Sequence, residues 1–435
     1  MLPRLDLRGL GTDPHRLRAA LPRPAQAGAG PAEAVRTILD DVRRRGDAAV
    51  RDCTWRFDGV RIDQLRVPVD QIHAALERVT PQQVDALRAA AAGIEDFHRS
   101  QLVADQTYER DGIVVEAWHR PVDRAGCYVP GGRAKYPSTV LMTAVVARVA
   151  GVREVALCVP PDRDGRVAEI TLAAAAVAGV EEVYRIGGAQ AVAAMAHGTE
   201  SVPPVDVIVG PGNAYVATAK REVAGLVGVP SSFAGPSEVV VIADESARVD
   251  CAAVDVIVQA EHGPGGLAWL ITWSETAADA IGAEITTQVE ASPRRSDIES
   301  TFTAGGYIVL VDGPEQAVTV SNLIAPEHLE IMTADPRAVL ALVRHAGVVF
   351  CGPWAPASVG DYVAGPNHVL PTDGTARFAS VLTVRDFQKE MHVVTLDEVA
   401  LVKVAPHVEV LAEAEGLVAH ADSVRRRFTV NTGSS

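Results

Sequence analysis

The chain has 435 residues, more than one hydrophobic core usually organises, so two or more domains are expected. Apolar residues make up 48% and charged residues 22%, the balance of a soluble globular protein, and a formal net charge of -15 argues against nucleic-acid binding. Five scattered cysteines (Cys53, Cys127, Cys158, Cys251 and Cys351) form no CxxC pair or disulfide framework, the N-terminus lacks the apolar segment of a signal peptide, and no uncharged stretch reaches transmembrane length, so a cytoplasmic protein is expected, with no membrane partner.

The first part, to about residue 115, reads as helices. "PAEAVRTILDDVRRRGDAAVRDCTWRFDGV" and "PQQVDALRAAAAGIEDFHRSQL" place apolar residues three and four apart. A strand signal follows at "GIVVEAWHRPV". "RAGCYVPGGRAKYPSTVLMTAVVARVAGV" then reads as strand, Gly/Pro-rich loop and helix. From there strands and helices alternate: "EVALCVPP", "VAEITLAAAAVAGV", "EVYRIGGAQAVAAMAHG", "VDVIVGPGNAYVATAKREVAG", "SEVVVIADES", "ARVDCAAVDVIVQAEH", "GLAWLITWS", "YIVLVD" and "GVVFCG". Such alternation means βαβ units and parallel sheets covered on both faces, an α/β fold. In the tail, "VLTVRDFQKEMHVVTL" is strand-like, and "DEVALVKVAPHVEVLAEAEGLVAHADSVRRRF" reads as two helices around Pro406. The tail is too small to stand alone and is expected to pack on a partner. Its basic run, Arg425 to Arg427, compensates a helix C-terminus.

Three strand-to-helix turns are rich in glycine: "VPGGRAKYPST", "IGGAQAVAAM" and "VGPGNAYVATAK". Bare backbone N–H groups at a helix start bind phosphate. None of the turns is a GxGxxG or a GxxxxGK[ST] fingerprint, so glycines that only permit tight turns remain the other reading. Tyr128, Gln190 and Asn213 sit in or beside these turns and suit nucleotide contacts.

Four further stretches concentrate polar groups. "VIVQAEHGPGG" ends an apolar run with Gln259 and His262, three residues apart and so on one helix face. "NLIAPEHLEIM" sets Glu327 beside His328. "PASVGDYVAGPNHVLPT" places Asp361 and His368 in a Gly/Pro-rich loop, and "EAEGLVAHADS" adds Glu415 and His420. Imidazole, carboxylate and amide oxygen without thiolate suit Zn²⁺ or a similar divalent ion. No HExxH or other compact motif is present, and a structural role stands beside each ligand role. Glu261 and Glu330 read as salt-bridged or solvated, and His345, His392 and His407 as structural.

Together "GCYVPGGRAKYPSTVLM", "VGPGNAYVATAK", "AGPSEVVVIAD", "QAEHGP", "APEHLE" and "SVGDYVAGPNHVLPT" resemble the histidinol dehydrogenase family, from roughly Ile38 to Arg427. The resemblance implies oxidation of L-histidinol to L-histidine through a bound aldehyde, the last steps of histidine biosynthesis. It implies two NAD⁺ per turnover, one Zn²⁺ per site, and a homodimer whose subunits share active sites. Gln259, His262 and Asp361 match zinc ligands, with His420 as the fourth, from the other subunit. Glu327 and His328 match the catalytic pair. Ser237, His368 and Glu415 match substrate contacts, and Gln259, His262, His328, Asp361 and His420 also lie against substrate. Tyr128, Gln190 and Asn213 match NAD contacts. The implied fold has two incomplete Rossmann-like domains with small helical extensions at both ends. The expected division is 1–24 as N-terminal extension, 25–127 with 239–381 as the larger domain, 128–238 as the NAD side, and 382–435 as a dimer-exchanging tail. The one departure seen is "GPGG" after His262, where relatives often carry more polar residues.

Chemically, His328 is expected to act as a neutral imidazole that takes the hydroxyl proton, and Glu327 to activate water for the second oxidation. Zinc is expected to orient the substrate's imidazole and amine. A thiohemiacetal on Cys127 is an alternative route for the aldehyde step, against the plain reading of a small buried thiol. A zinc hydrolase of a small amide or ester is the competing function, and a nucleotide-sensing dimer a third.

Overall fold

The computed structural model describes residues 2–22, 31–131, 134–231, 237–262 and 266–428. The chain divides into two units, residues 1–101 with 122–387, and residues 102–121 with 388–435.

The first unit holds two parallel sheets. The smaller contains β4 (Arg124–Tyr128), β5 (Glu154–Cys158), β6 (Glu182–Tyr184) and β7 (Val207–Val209), in the order β6-β5-β4-β7. The larger contains β1 (Arg4–Asp6), β8 (Glu238–Ala243), β9 (Leu267–Thr272), β10 (Gly306–Leu310), β11 (His328–Met332) and β12 (Val348–Cys351), in the order β1-β10-β9-β8-β11-β12. With β1 set aside and the strands counted from β4 and from β8, both sheets run 3-2-1-4, the winding of a Rossmann half, and the larger adds β12 beyond the fourth strand and β1 beyond the third. The α/β class with two incomplete Rossmann-like sheets is thus present. The strands are continuous apolar runs because helices cover both faces; every residue of β8, β11 and β4 is buried.

Each sheet separates two cores. In the smaller, Ala125 and Cys127 face the helices Pro137–Val149 and Glu169–Val177, while Tyr128 faces the helices Ala32–Arg45, Asp47–Asp58, Gly188–His197 and Ala214–Val223. In the larger, Val239, Val241 and Leu270 face the helix Val249–Val258, while Val240, Ile242 and Leu329 face the helix Pro314–Ile324.

The N-terminus is not purely helical. β1 precedes the helix Pro14–Ala20 and extends the large sheet, parallel to β10 with Leu5 opposite Val309. Its three residues carry too little apolar pattern to be read alone; pairing makes the strand.

The second unit is an antiparallel sheet of β2 (Gln106–Arg110), β3 (Ile113–Pro121) and β13 (Gln388–Leu396), order β13-β3-β2, followed by two helices. β13 pairs with β3 along its nine residues, so the strand of the tail has a partner in its own chain. The expected break at Pro406 does not occur. One helix runs Glu398–Ala414 with Pro406 inside, and the turn comes at Gly416, whose φ of 73° is the left-handed value glycine adopts without strain. The next helix is Val418–Arg425.

Candidate active site

The site is built at the amino edge of the large sheet, where β8 and β11 lie side by side. His328 is the first residue of β11, opposite Val239 on one side and Val348 on the other. The preceding helix ends at buried Ala325, held at φ 54°, a strained value for a residue with a Cβ. Pro326 follows, and this turn delivers Glu327 and His328 to the sheet edge.

The His328 Nδ1–H donates to the Glu238 carbonyl at 3.0 Å, which fixes the tautomer. Nε2 is buried, has no hydrogen-bond partner among the described residues, and lies 3.5 Å from Asp361 Oδ1. The ring stacks over Phe350, 6.3 Å between centroids. Glu327 Oε2 lies 3.5 Å from Nδ1 and accepts the Glu238 backbone N–H at 3.0 Å. Glu238 returns the bond: its Oε2 accepts the Glu327 N–H at 3.2 Å, and its Oε1 accepts the Asp373 N–H at 3.1 Å.

Burial alone pulls the His328 imidazole down, but the Glu327 and Asp361 carboxylates outweigh it and push it up to about 10. Burial, then the charge of Glu327, pushes Glu238 up to about 8.

Asp361 lies in the helix Ala357–Tyr362. Burial would raise it, yet His328, His368 and His262 hold it below the ordinary carboxylate value. Its Oδ2 accepts from the Gln259 amide at 3.3 Å, and its carbonyl accepts from His368 Nδ1 at 3.0 Å. Burial lowers the His368 imidazole below its ordinary value, and its Nε2 lies 3.1 Å from the Thr139 hydroxyl. Gln259 caps the helix Val249–Val258, and a 3₁₀ turn, Ala260–His262, carries His262 to within 3.0 Å of the Ser237 hydroxyl. Residues 263–265 of the following turn lie outside the described residues.

Seven of the sequence candidates thus meet in one cluster: Ser237, Gln259, His262, Glu327, His328, Asp361 and His368. Glu415 and His420 belong to the second unit, at the C-cap of Glu398–Ala414 and in Val418–Arg425. Among the described residues no three His, Cys, Asp or Glu side chains are grouped to hold a metal ion. The donors this unit offers a cation are the Gln259 amide oxygen, the His262 imidazole and the ionised Asp361 carboxylate, a set that suits zinc.

Tyr128, Gln190 and Asn213 come together elsewhere. They line a cavity of about 900 Å³ at the carboxyl edge of the small sheet, with Gly131, Tyr136, Pro160 and Gly188. It sits beside the β4/β7 switch point, where wound sheets hold ligands. The Tyr128 hydroxyl accepts the Gly188 N–H at 3.1 Å, and Asn213 Oδ1 caps the helix Ala214–Val223. At Gly210, φ 103°, a Cβ would stand 2.0 Å from the Tyr128 carbonyl oxygen, so only glycine closes this turn. Residues 132–133 of the first Gly-rich turn are outside the described residues. The helix Pro137–Val149 links cavity and cluster, for Tyr136 lines the one and Thr139 bonds His368 in the other.

Cys127, the possible thiohemiacetal site, lies inside β4, and burial pushes its thiol up to about 12, against a nucleophile. Glu330 is neither salt-bridged nor solvated. It is 1% exposed on β11 and in hydrogen-bonding contact with Asp255, burial and the Asp255 charge raising it well above the usual carboxylate value. Sequence reasoning also missed Glu238 and Thr139. The signal for Glu238 was a carboxylate heading an otherwise apolar strand, "EVVVIA".

The histidinol dehydrogenase family model matches residues 21–428. The histidinol dehydrogenase of Parasynechococcus marenigrum (strain WH8102) is 50% identical over 396 residues, 91% of this chain and 90% of that one. That of Gluconobacter oxydans (strain 621H) is 49% identical over 403 residues, covering 92% and 93%. A crystal structure of histidinol dehydrogenase from Elizabethkingia anophelis superposes with a TM-score of 0.92 at 33% identity, over 98% of both chains. With its wound sheets, its edge cluster and this agreement along nearly its whole length, the chain belongs to the histidinol dehydrogenase family and is an oxidoreductase.

Proposed function

We propose that the chain oxidises L-histidinol to L-histidine in two steps, with two NAD⁺, through L-histidinal held at the amino-edge cluster. The balance is one alcohol, two NAD⁺ and one water giving one carboxylate, two NADH and three protons. The observation that carries the reading is His328. Its Nδ1 is locked on the Glu238 carbonyl, which leaves the buried Nε2 as the one ring atom to exchange a proton with substrate.

In the first step His328 Nε2 takes the hydroxyl proton as hydride leaves the carbinol carbon. In the second, Glu327 takes a proton from the water that adds to the aldehyde. Gln259, His262 and Asp361, with His420 of a second subunit, would hold zinc. When bound, zinc would supply a Lewis-acid seat for the substrate's imidazole and amine. Ser237, His368 and Glu415 position the substrate. Tyr128, Gln190 and Asn213 contact NAD in the cavity at the small sheet, with the nicotinamide toward the Tyr136–Thr139 side. A homodimer with shared sites follows from the role given to His420. The small sheet is then the NAD side, and the large sheet the zinc and catalytic side.

The test is NADH formation from L-histidinol and NAD⁺, on protein dialysed against a chelator, before and after Zn²⁺ is added. Two NADH per histidinol, restored by the metal, supports the proposal. One NADH per histidinol removes the role given to Glu327. No turnover in any metal state overturns the assignment and returns the hydrolase reading.

A further inference from the structure

We infer that Asp58 accepts the adenosine ribose hydroxyls of the dinucleotide and makes the enzyme select NAD over NADP. This rests on the NAD site proposed above.

In a sheet wound this way, the acid that accepts the ribose hydroxyls usually stands at the end of the second strand. Here that strand is β5, and it runs out into Val159, Pro160 and Pro161. Pro160 is spent on packing: a Cβ at Gly187 would come within 2.7 Å of it. The next acid, Asp162, is spent on its own turn, its Oδ1 accepting the N–H groups of Asp164 and Arg166 at 2.9 Å each. The usual source of the acid is therefore missing.

A carboxylate reaches the same cavity from outside the wound unit. Asp58 is the last residue of the helix Asp47–Asp58 and lines the cavity with Phe57 and Ile38. Its Oδ2 is buried with no hydrogen-bond partner among the described residues. An acceptor in that state lacks the bonds that two hydroxyls would supply. Burial without a partner also pushes the carboxyl up to about 6, a penalty that donors from a ligand would relieve.

Its place in the sheet assigns the end of the ligand. The helix Asp47–Asp58 packs on the Tyr128 face, and Tyr136 and Thr139 belong to the opposite face. Thr139 touches His368 in the catalytic cluster, so the nicotinamide must lie toward that face. A dinucleotide laid across the edge then has its adenosine toward Asp58. Lys135, Arg163 and Arg166 on the cavity wall suit the pyrophosphate. A 2′-phosphate would bring a second anion to the Asp58 carboxylate, with the hydroxyl donor lost.

The experiment measures binding of ADP-ribose and of nicotinamide mononucleotide by calorimetry, with KM for NAD and NADP, in wild type, Asp58→Asn and Asp162→Asn. Asp58→Asn keeps the shape of the side chain. We expect it to weaken ADP-ribose about tenfold or more, spare nicotinamide mononucleotide, and narrow the NAD-to-NADP preference by a similar factor. The loss should fall on KM for NAD more than on kcat. Unchanged ADP-ribose binding in Asp58→Asn, an equal loss of both half-ligands, or the same effect from Asp162→Asn would overturn the inference. Wild-type protein that binds neither NAD nor ADP-ribose, or binding that survives Gln190→Ala intact, would instead overturn the NAD site itself.

Discussion

The two wound sheets start from the same plan and use opposite edges. β4 and β8 each open the 3-2-1-4 winding of their sheet, and Arg124 and Glu238 each stand first on that strand. At Arg124 the amino edge is neutralised. Its guanidinium pairs with Glu154 at 2.7 Å and with Glu182, which head the next two strands, and Asp206 accepts the Arg124 N–H at 2.9 Å. At Glu238 the same edge gathers Glu327, His328 and Asp361, with no arginine or lysine paired to them among the described residues. The carboxyl edges reverse this. The small sheet opens a cavity there, while the large sheet is stitched shut beside β8 and β11, with Asp244 Oδ2 accepting the Ala334 N–H at 2.9 Å. Winding alone does not locate a site. The edge that crowds buried ionisable groups together does, because burial and close charges together are what shift proton affinities.

The largest effect should come from the unbalanced edge. His328→Asn is expected to lower kcat for histidinol oxidation about 10²–10⁴-fold with the fold retained. Glu327→Gln is expected to spare the first hydride transfer and stall the second, so that NADH per histidinol falls from two toward one. Stopped-flow NADH traces with histidinol and, separately, with histidinal distinguish the two. Equal loss of both steps in Glu327→Gln would show that the two residues act as one unit.

The balanced edge should answer to stability instead. Arg124→Met leaves Glu182, itself largely buried and hydrogen-bonded by the Tyr184 hydroxyl, beside an apolar side chain. A loss of about 2 kcal/mol is expected in denaturant unfolding, less than for a fully buried pair because Glu154 is solvated. Activity per folded molecule should hold. Loss of turnover without loss of stability would break the contrast between the edges.

Much of this was legible in the sequence, for a physical reason. Parallel strands covered on both faces are short apolar runs, and "EVALC", "EVVVIA" and "LAWLIT" announce themselves. So did the grouping of Gln259 with His262, since helical spacing is local. What depended on remote partners was not legible. β1 is a strand because β10 lies beside it. "HLEIM" mixes a histidine and a glutamate into a central strand, and the two carry charge-bearing groups that the period-2 pattern of strands assigns to neither core nor solvent. Glu238 and Glu330 gain their raised proton affinities from burial and then from Glu327 and Asp255, both more than 70 residues away in the chain. Pro406 misled because a proline inside a helix is costly but tolerated.

Glu238 gives a smaller, pH-resolved effect. Folding raises its carboxyl from 4.5 to about 8, so the native state binds that proton more tightly than the unfolded chain. Its contribution to stability is complete below about pH 4.5, declines as pH rises, and is gone above about pH 8. In Glu238→Gln that decline should disappear. Thermal melts across this range would show a flatter profile for the variant, and parallel profiles would mean that Glu238 is ionised throughout.

The smallest effect belongs to Cys127, which tests whether the cavity edge hides a nucleophile. An aldehyde route through a thiohemiacetal needs a thiolate open to substrate. Cys127 lies inside β4, paired to Leu157 and Val209 across the sheet, with its side chain in the apolar core shared with Val140 and Ala144. Burial pushes the thiol up to about 12, so the thiolate is all but absent at neutral pH. Cys127→Ala, which removes one buried atom without overpacking the core, should therefore cost on the order of 1 kcal/mol and leave histidinal oxidation at the wild-type rate. The measurement is single-turnover NADH formation from histidinal. A variant that folds normally yet loses that phase would move the second oxidation from the amino edge of the large sheet to the core of the small one, and the contrast between the two sheets would have to be drawn again.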